Sequence, residues 1–211
     1  MQDERYLQLL SRKFPNAQSV VTELINLRAI LSLPKGTEHF VSDLHGEANA
    51  FIHMIKNASG VIRKKVDEAF GDLLPEEEKR ALCALIYYPD ERIDLVKRKY
   101  NGEEIHSLNE GFEYTTIQDW YKRRLHQVVA IARAVTIKYS RSKVYKLLPK
   151  DYAYVIKELL HESSLEQKDR QAYYNAIIEA IIETGCAEQL LISITYFIHS
   201  MAIDILHVVG D

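Results

Sequence analysis

The sequence predicts a mostly α-helical chain with two short, buried strands, one in its first quarter and one at its end. Two observations support this fold class. Apolar residues recur at helical spacing along most of the 211 residues. Only "EHFVSD" (38–43) and "DILHVVGD" (204–211) break the pattern, as continuous apolar runs rich in β-branched or aromatic residues. Runs without polar alternation are typical of buried parallel strands, so we predict a strand at each segment.

The helices are predicted from apolar spacing together with start and stop residues. The segment 15–34 has a helical apolar stripe that Pro34 ends, and the segment 75–88 begins with Pro75 and three glutamates, which favour the positive end of a helix dipole. A helix is also predicted from about Gly46 onward. The remaining predicted helices span about 117–139, 152–161, 169–184 and 187–201. The most polar stretch, 161–171, is predicted to be a helix–helix loop or an exposed helix end, and a second loop is predicted at 97–107.

The composition restricts the class of partner. A hydrophobic fraction of 47% and a charged fraction of 27% are typical of a soluble globular protein. The net charge of −3 gives no field suited to nucleic acid or to an anionic membrane. Basic clusters at 63–65, 97–99 and 122–124 are interleaved with acidic residues and are interpreted as solvated helix faces. We therefore expect a cytoplasmic protein that binds neither nucleic acid nor membrane.

The first predicted strand ends in a motif with two interpretations. In "EHFVSDLHGE", Asp43 and His45 lie two residues apart in the turn after the strand, and Gly46 follows. A carboxylate and an imidazole at a strand end can meet at the place where α/β folds bind their ligands, and together they suit manganese, iron or zinc. Alternatively, Asp43 caps the following helix beside a surface histidine. The sequence leaves both interpretations open.

The second predicted strand ends in Gly210-Asp211, which can place another carboxylate at the same sheet edge. In a two-metal site a carboxylate bridges ions about 3.5–4 Å apart, and Asp211 suits that role. The alternative is a solvent-exposed terminal aspartate. Two strands make a poor independent sheet, so we expect these residues to be the first part of a longer protein. Simple pairing of the two strands under the helices is also left open.

Taken together, Asp43-x-His45-Gly46 and Gly210-Asp211 resemble the first two motif blocks of the calcineurin-like metallophosphoesterases. The stretches "LSLPKGTEHFVSDLHGE", "NASGVIRKKVDEAFG" and "LIYYPDERIDLVK" resemble the class 3 fructose-1,6-bisphosphatases of bacteria, and the similarity runs from about Tyr6 to Asp211. The continuation of the second block and the later Gly-Asn-His block are missing from this sequence. The resemblance implies two strands of a calcineurin-like α/β sandwich, separated by a large helical insertion where ordinary members have one short β-α unit.

The resemblance also implies a chemistry. Asp43 and His45 would be ligands of one metal ion and Asp211 the bridging ligand, while the remaining ligands, the catalytic histidine and most substrate contacts would lie beyond residue 211. Family members hydrolyse fructose 1,6-bisphosphate with Mn²⁺ in gluconeogenesis, by in-line attack of a two-metal-activated hydroxide. The implied division is 1–58 for the start of the metallophosphoesterase domain, 59–200 for the insertion and 201–211 for the second metal-binding strand.

Two other functions are kept as alternatives. The first is a non-enzymatic helical module for oligomerisation or for binding a regulator, and the second is a metallophosphoesterase that acts on a phosphoprotein or a nucleotide. The distance between the two strand ends discriminates between the enzyme and the helical module: the enzyme requires the ends to lie side by side, and the helical module does not. The sequence leaves a homo-oligomer open, and it predicts that these 211 residues alone have little or no phosphatase activity and bind metal weakly or not at all.

Overall fold

The fold is known from a computed structural model that describes residues 2–161 and 168–210. Within these ranges the chain forms eleven α-helices and one two-stranded sheet. No helix within them is long and apolar enough to cross a membrane. The α-helices are α1 (Gln2–Lys13), α2 (Ala17–Ile30), α3 (Ala48–Asn57), α4 (Val61–Phe70), α5 (Glu76–Tyr87), α6 (Pro89–Tyr100), α7 (Ile117–Thr136), α8 (Arg141–Leu147), α9 (Ala153–His161), α10 (Lys168–Glu183) and α11 (Ala187–Ala202).

The core is built around α7, which packs against α4, α10 and α11. Thr116 and Asp119 begin this helix with a reciprocal capping box, in which each side chain accepts a hydrogen bond from the other residue's backbone N–H at 3.1 Å. The buried apolar face recurs at helical spacing and includes Trp120, Leu125, Val128, Ile131 and Val135. The helix predicted over 117–139 is therefore confirmed and ends at Thr136.

The other predicted helices are also confirmed, with bounds that differ by a few residues. Helices α1, α4, α6 and α8 were not predicted. The loop predicted at 97–107 is wrong in its first part, because Lys97–Tyr100 form the last turn of α6. The basic residues there lie near the helix's carboxyl end, where positive charge is favoured, so a charged segment was taken for a loop. Residues 162–167 of the other predicted loop lie outside the described residues.

Helix α2 forms as predicted, but its apolar stripe is exposed. Asn16 begins the helix through a capping box, in which its side chain accepts a hydrogen bond from the Ser19 N–H at 2.9 Å. No residue of α2 is buried by the parts of the chain that the structure describes, and Leu24 and Leu27 are 47% and 50% exposed. Periodicity thus predicted the helix and its apolar stripe correctly. The described residues leave that stripe exposed.

A buried ionic network connects α5, α6 and α7 with the segment 101–116. The Arg124 side chain is fully buried and donates to the Glu110 carboxylate at 2.6 Å and to the Gln127 side chain at 2.6 Å. Gln127 in turn donates to the buried Glu78 at 2.7 Å, and the Trp120 indole N–H donates to Glu110 at 2.7 Å. The interpretation of 122–124 as a solvated face is therefore wrong for Arg124, because buried partners compensate its charge.

The two buried carboxylates of this network are held in their charged form. Burial by itself raises the pKa of Glu110, but the nearby Arg124 and Arg92 guanidinium groups outweigh it and hold the pKa below its usual value. Burial likewise opposes ionisation of Glu78, whereas hydrogen bonds from Arg123 and Gln127 hold its pKa below the usual value. The network is thus an ion-paired part of the helical core, and each charge depends on its partners.

The sheet consists of β1 (Glu38–Ser42) and β2 (Ile205–Val209), which pair in parallel. Their register runs from Glu38 opposite Ile205 to Ser42 opposite Val209. Both strands predicted from the sequence are therefore confirmed within the described residues, as is their parallel type. Their predicted burial is wrong, because among the described strand residues only His39 is buried and the helices cover too little of the apolar side chains. Because the strands are parallel and in register, their carboxyl ends emerge at the same edge of the sheet.

Candidate metal centre at the strand ends

The carboxyl ends of β1 and β2 bring two distant sequence motifs together. Asp43 and Gly210 directly follow the last register pair, Ser42 and Val209, and they lie close to each other. A Cβ atom built on Gly210 would lie 2.9 Å from Asp43 Oδ1 and 3.4 Å from the Asp43 backbone nitrogen. Asp43 of the D-x-H-G motif and Gly210 thus meet at one sheet edge, which is the geometry that the enzyme hypothesis requires and the helical-module hypothesis does not.

The turn after β1 has an unusual backbone. Asp43 and His45 have φ angles of 53° and 45°, and Gly46 has a φ of 75°. Residues other than glycine seldom adopt this left-handed region, at a cost on the order of 1–3 kcal/mol each, and such residues cluster at functional sites. Asp43 and His45 are both exposed in this turn. The turn therefore carries its two metal-ligand candidates on a strained, accessible backbone.

The capping alternative for Asp43 is not what the structure contains. Helix α3 begins at Ala48, its N-cap position is Glu47, and no side-chain hydrogen bond caps it. The turn is closed instead by backbone hydrogen bonds, from Glu47 N–H to the Leu44 carbonyl and from Ala48 N–H to the Gly46 carbonyl, both at 2.8 Å. Asp43 therefore precedes the helix by too many residues to cap it.

The candidate ligands can be counted only over the described residues. Asp43 and His45 supply one carboxylate and one imidazole, a donor set that suits a first-row divalent ion. Among the residues that the structure describes, no group of three or more histidine, cysteine, aspartate or glutamate side chains could hold a metal ion. Asp211, the predicted bridging ligand, lies outside the described residues. This part of the chain therefore offers two candidate ligands, fewer than a metal site requires.

One face of the sheet carries polar and aromatic residues that sequence reasoning did not single out. On it the Phe40 and His207 rings stack with centroids 4.5 Å apart, and His207 Nε2 lies 3.2 Å from the Glu38 carboxylate. Phe40 is 69% exposed and Val209 is 50% exposed. Period-two alternation along each strand could have grouped these residues, because every second side chain shares a face.

The sheet's other end is held by a carboxylate that the sequence analysis also missed. Asp204, immediately before β2, has a side chain only 10% exposed and accepts a hydrogen bond from the Thr37 N–H at 2.7 Å. Lys138 Nζ lies 2.6 Å from this carboxylate, and the Tyr139 hydroxyl donates to it. No motif marks Asp204, since its partners come from residues far along the chain.

Replacing Gly210 with alanine is expected to disrupt the strand ends. Gly210 has a φ of 88°, which disfavours any side chain, and the added Cβ would meet Asp43 Oδ1 at 2.9 Å. In a full-length protein that carries these residues, we expect Gly210→Ala to lower phosphatase activity by more than about tenfold, a range known for groups that only orient metal ligands. Phosphate release at saturating metal concentration measures the effect.

Gly102→Ala is the matched control for this substitution. Gly102 has a similar φ of 94°, but a Cβ added there would meet nothing within 4 Å. The control therefore introduces the same backbone strain far from the strand ends, and its activity should stay close to that of the unsubstituted protein. Equal losses in both variants would show that strain alone, and not contact with Asp43, causes the effect.

Comparison with known proteins gives a consistent result. Residues 5–211 match the family model described as Firmicute fructose-1,6-bisphosphatase. The chain is 50% identical over 210 residues to a class 3 fructose-1,6-bisphosphatase of Phocaeicola vulgatus and 50% identical over 209 residues to that of Porphyromonas gingivalis. It is 48% identical over 209 residues to the Parabacteroides distasonis protein of the same name.

These matches cover 99–100% of this chain but only 29–30% of each of the three relatives. The chain therefore spans less than a third of the length of the curated relatives it matches. No solved structure matches the chain. The sheet edge described above thus corresponds to one part of a much longer protein in each relative.

Proposed function

The chain belongs to the Firmicute fructose-1,6-bisphosphatase family, and on that premise we propose that a full-length protein carrying these residues hydrolyses fructose 1,6-bisphosphate to fructose 6-phosphate and phosphate. The reaction belongs to gluconeogenesis in this proposal and takes place in the cytoplasm. The relatives' printed name, fructose-1,6-bisphosphatase class 3, supports the substrate.

One observation carries the proposal, namely the meeting of Asp43 and Gly210 at the carboxyl ends of two parallel strands. Ligands of α/β proteins bind at this edge, because the strand ends and the turns that follow them converge there. The left-handed backbone at Asp43 and His45 supports a functional turn. A helical module without an active site would require neither feature.

The donor set fits a divalent metal ion, which we propose to be Mn²⁺. Carboxylate oxygen and imidazole nitrogen are suitable ligands for manganese, iron or zinc, and the family supports the choice of manganese. Asp43 and His45 hold one ion in this proposal, and Asp211 bridges it to a second. When bound, two such ions neutralise phosphoryl charge and lower the pKa of a bound water. Gly46 leaves room for a phosphate to approach the backbone of the turn.

The helices between the two strands form an insertion in this proposal. The division follows the sequence interpretation, with 1–58 and 201–211 belonging to a calcineurin-like α/β sandwich and 59–200 forming the insertion. Two observations support it: the strands pair directly with each other, and most of the buried core lies between them in sequence. The insertion therefore separates the two halves of the site along the chain without separating them in space.

The substrate is tested with a full-length protein that carries these residues. After treatment with EDTA and addition of Mn²⁺, we expect phosphate release from fructose 1,6-bisphosphate, and no measurable release from a phosphoserine peptide or a nucleoside monophosphate. Comparable release from the peptide or nucleotide would favour the broader phosphoesterase alternative. No release from any of the three would favour the non-enzymatic helical module.

The described chain alone should be inactive in the same assay. Two described ligands and one further carboxylate do not complete a two-metal site, because each ion needs several donors. The 211-residue chain with Mn²⁺ is therefore expected to release little or no phosphate. Turnover comparable to that of the full-length protein would contradict the proposal that the remaining ligands come from other residues.

A further inference from the structure

Asp204 stands at the common origin of the two strands that form the candidate site. Thr37 directly precedes β1 and Asp204 directly precedes β2, so the register that pairs Glu38 with Ile205 also aligns these two residues. The Thr37 N–H donates to Asp204 Oδ2 at 2.7 Å, and the Thr37 carbonyl accepts from the Asp204 N–H at 3.2 Å. The side-chain contact thus extends the strand pairing by one residue.

The same carboxylate connects the strands to the helical core. Lys138 and Tyr139, which follow the carboxyl end of α7, both contact Asp204. Lys138 Nζ also lies 2.8 Å from Thr37 Oγ1, and the Tyr139 hydroxyl lies 3.2 Å from the Met201 carbonyl in the last turn of α11. Asp204, together with Lys138 and Tyr139, therefore joins the starts of β1 and β2 to the carboxyl ends of α7 and α11.

The environment of Asp204 is specific for a charged carboxylate in a fixed place. Burial by itself raises the pKa of Asp204, but hydrogen bonds from Lys138 and Tyr139 hold it below the usual value, so the group is ionised at neutral pH. Gly36 packs closely against this carboxylate, because a Cβ atom added to Gly36 would lie 3.0 Å from Asp204 Cγ. Lys138 is 11% exposed, and it depends on this partner for charge compensation.

We infer that Asp204 is a positioning residue, whose contacts at the start of both strands set the register that brings Asp43 beside Gly210 at their far ends. A shift of one residue would move one strand by about 3.3 Å and turn its side chains to the opposite face. Either change separates the two motifs. The inference rests on the proposed function only for its effect on activity, since the register can be measured independently.

A disulfide measures the register in a full-length protein that carries these residues. Ser42 and Val209 are register partners, and adjacent strands lie about 4.8 Å apart, within the range of about 4.4–6.8 Å between Cα atoms that a disulfide requires. Ser42→Cys with Val209→Cys should therefore cross-link readily under mild oxidation. Ser42→Cys with Val208→Cys should not, because Val208 faces the other side of the sheet. Peptide mass identifies each cross-link.

Asp204→Ala is expected to slow formation of the aligned cross-link, made by Ser42→Cys with Val209→Cys, by more than about tenfold. It should also raise the Mn²⁺ concentration for half-maximal activity by about tenfold or more, as expected for residues that orient metal ligands. Asp204→Asn keeps an acceptor for the Thr37 N–H and should show smaller effects of both kinds. Val135→Ala is the stability control, because Val135 is a buried residue of α7 that belongs to neither strand, and its apolar side chain can form no hydrogen bond or ion pair with Asp204. It should lower the melting temperature only.

The outcomes decide the inference separately from the function. If Asp204→Ala lowers the melting temperature but leaves the cross-link and the Mn²⁺ requirement unchanged, Asp204 is merely structural and the inference is wrong. If Asp204→Ala does not fold, the same two readouts in Asp204→Asn decide the question. If the unsubstituted protein hydrolyses no fructose 1,6-bisphosphate, the proposed function fails, and the cross-link alone tests Asp204.

Discussion

Replacing Asp43 with asparagine in a full-length protein that carries these residues is expected to lower kcat/KM for fructose 1,6-bisphosphate by more than about 100-fold, because loss of a direct metal ligand should exceed the 10–100-fold typical of outer-shell groups. Asparagine tolerates the left-handed backbone of this position, where φ is 53°, so the change removes the charge without adding strain. His45→Asn should lower kcat/KM in the same way, because it removes the other candidate ligand. Asparagine also tolerates the backbone there, where φ is 45°.

Glu47→Gln is the matched control for the Asp43 substitution. Glu47 is an exposed acid in the same turn, and its side chain makes no capping hydrogen bond to α3. Removing its charge tests whether any negative charge near the strand ends suffices. We expect nearly unchanged kcat/KM, with a higher Mn²⁺ requirement only in the Asp43 and His45 variants. Equal losses in the Glu47 and Asp43 variants would contradict a ligand role for Asp43.

Replacing Arg124 with methionine is expected to destabilise the helical core by about 3–5 kcal/mol, the usual cost of removing one partner of a buried ion pair. Arg124 is fully buried, and it compensates the buried charges of Glu110 and Glu78. Methionine fills most of the space, so the loss comes from two buried carboxylates that keep only Arg92 and Arg123 as cationic partners among the described residues, rather than from a cavity. Urea unfolding of the full-length protein with and without the substitution, monitored by circular dichroism, measures the change in the free energy of unfolding.

The control for this prediction is an ion pair at the surface. Arg98 and Glu103 lie 2.7 Å apart with side chains 48% and 51% exposed, and ion pairs of this kind at the surface contribute little to stability because solvent screens them. Arg98→Met should therefore change the free energy of unfolding only slightly. If Arg124→Met were as mild as Arg98→Met, the buried network would contribute little to stability, and water would have to reach its carboxylates.

The helices show which part of the fold is readable from local sequence. Helix α7 was predicted because its apolar residues repeat every three or four positions, and α5 because acidic residues follow Pro75. These signals lie within one element, so no knowledge of its neighbours is needed. Helix α6 was not predicted, partly because its strongly basic last turn was interpreted as a loop. Helix α4 was not predicted because its sequence, "VIRKKVDEAF", offers only a short apolar face.

Burial was less predictable than helicity. Arg124 belongs to a basic cluster that looked solvated, yet Glu110, Glu78 and Gln127 surround it in the core. Leu24 and Leu27 belong to the predicted helical apolar stripe of α2, yet both are about half exposed. The residues that bury Arg124 include Glu78 and Glu110 from other segments of the chain, so the pattern on one helix cannot reveal them.

The candidate site likewise has one part that the local sequence determines and another that the tertiary structure decides. The sequence by itself determined the two strands, the motif residues Asp43 and His45 at the end of one, and Gly210 at the end of the other, because these follow from short-range chemistry. Only the tertiary structure decided that the two strands pair with each other and in which register, that Asp43 meets Gly210, and that Asp204 joins the strand origins to the core. Register depends on contacts between residues far apart in the chain, and only the folded chain forms those contacts.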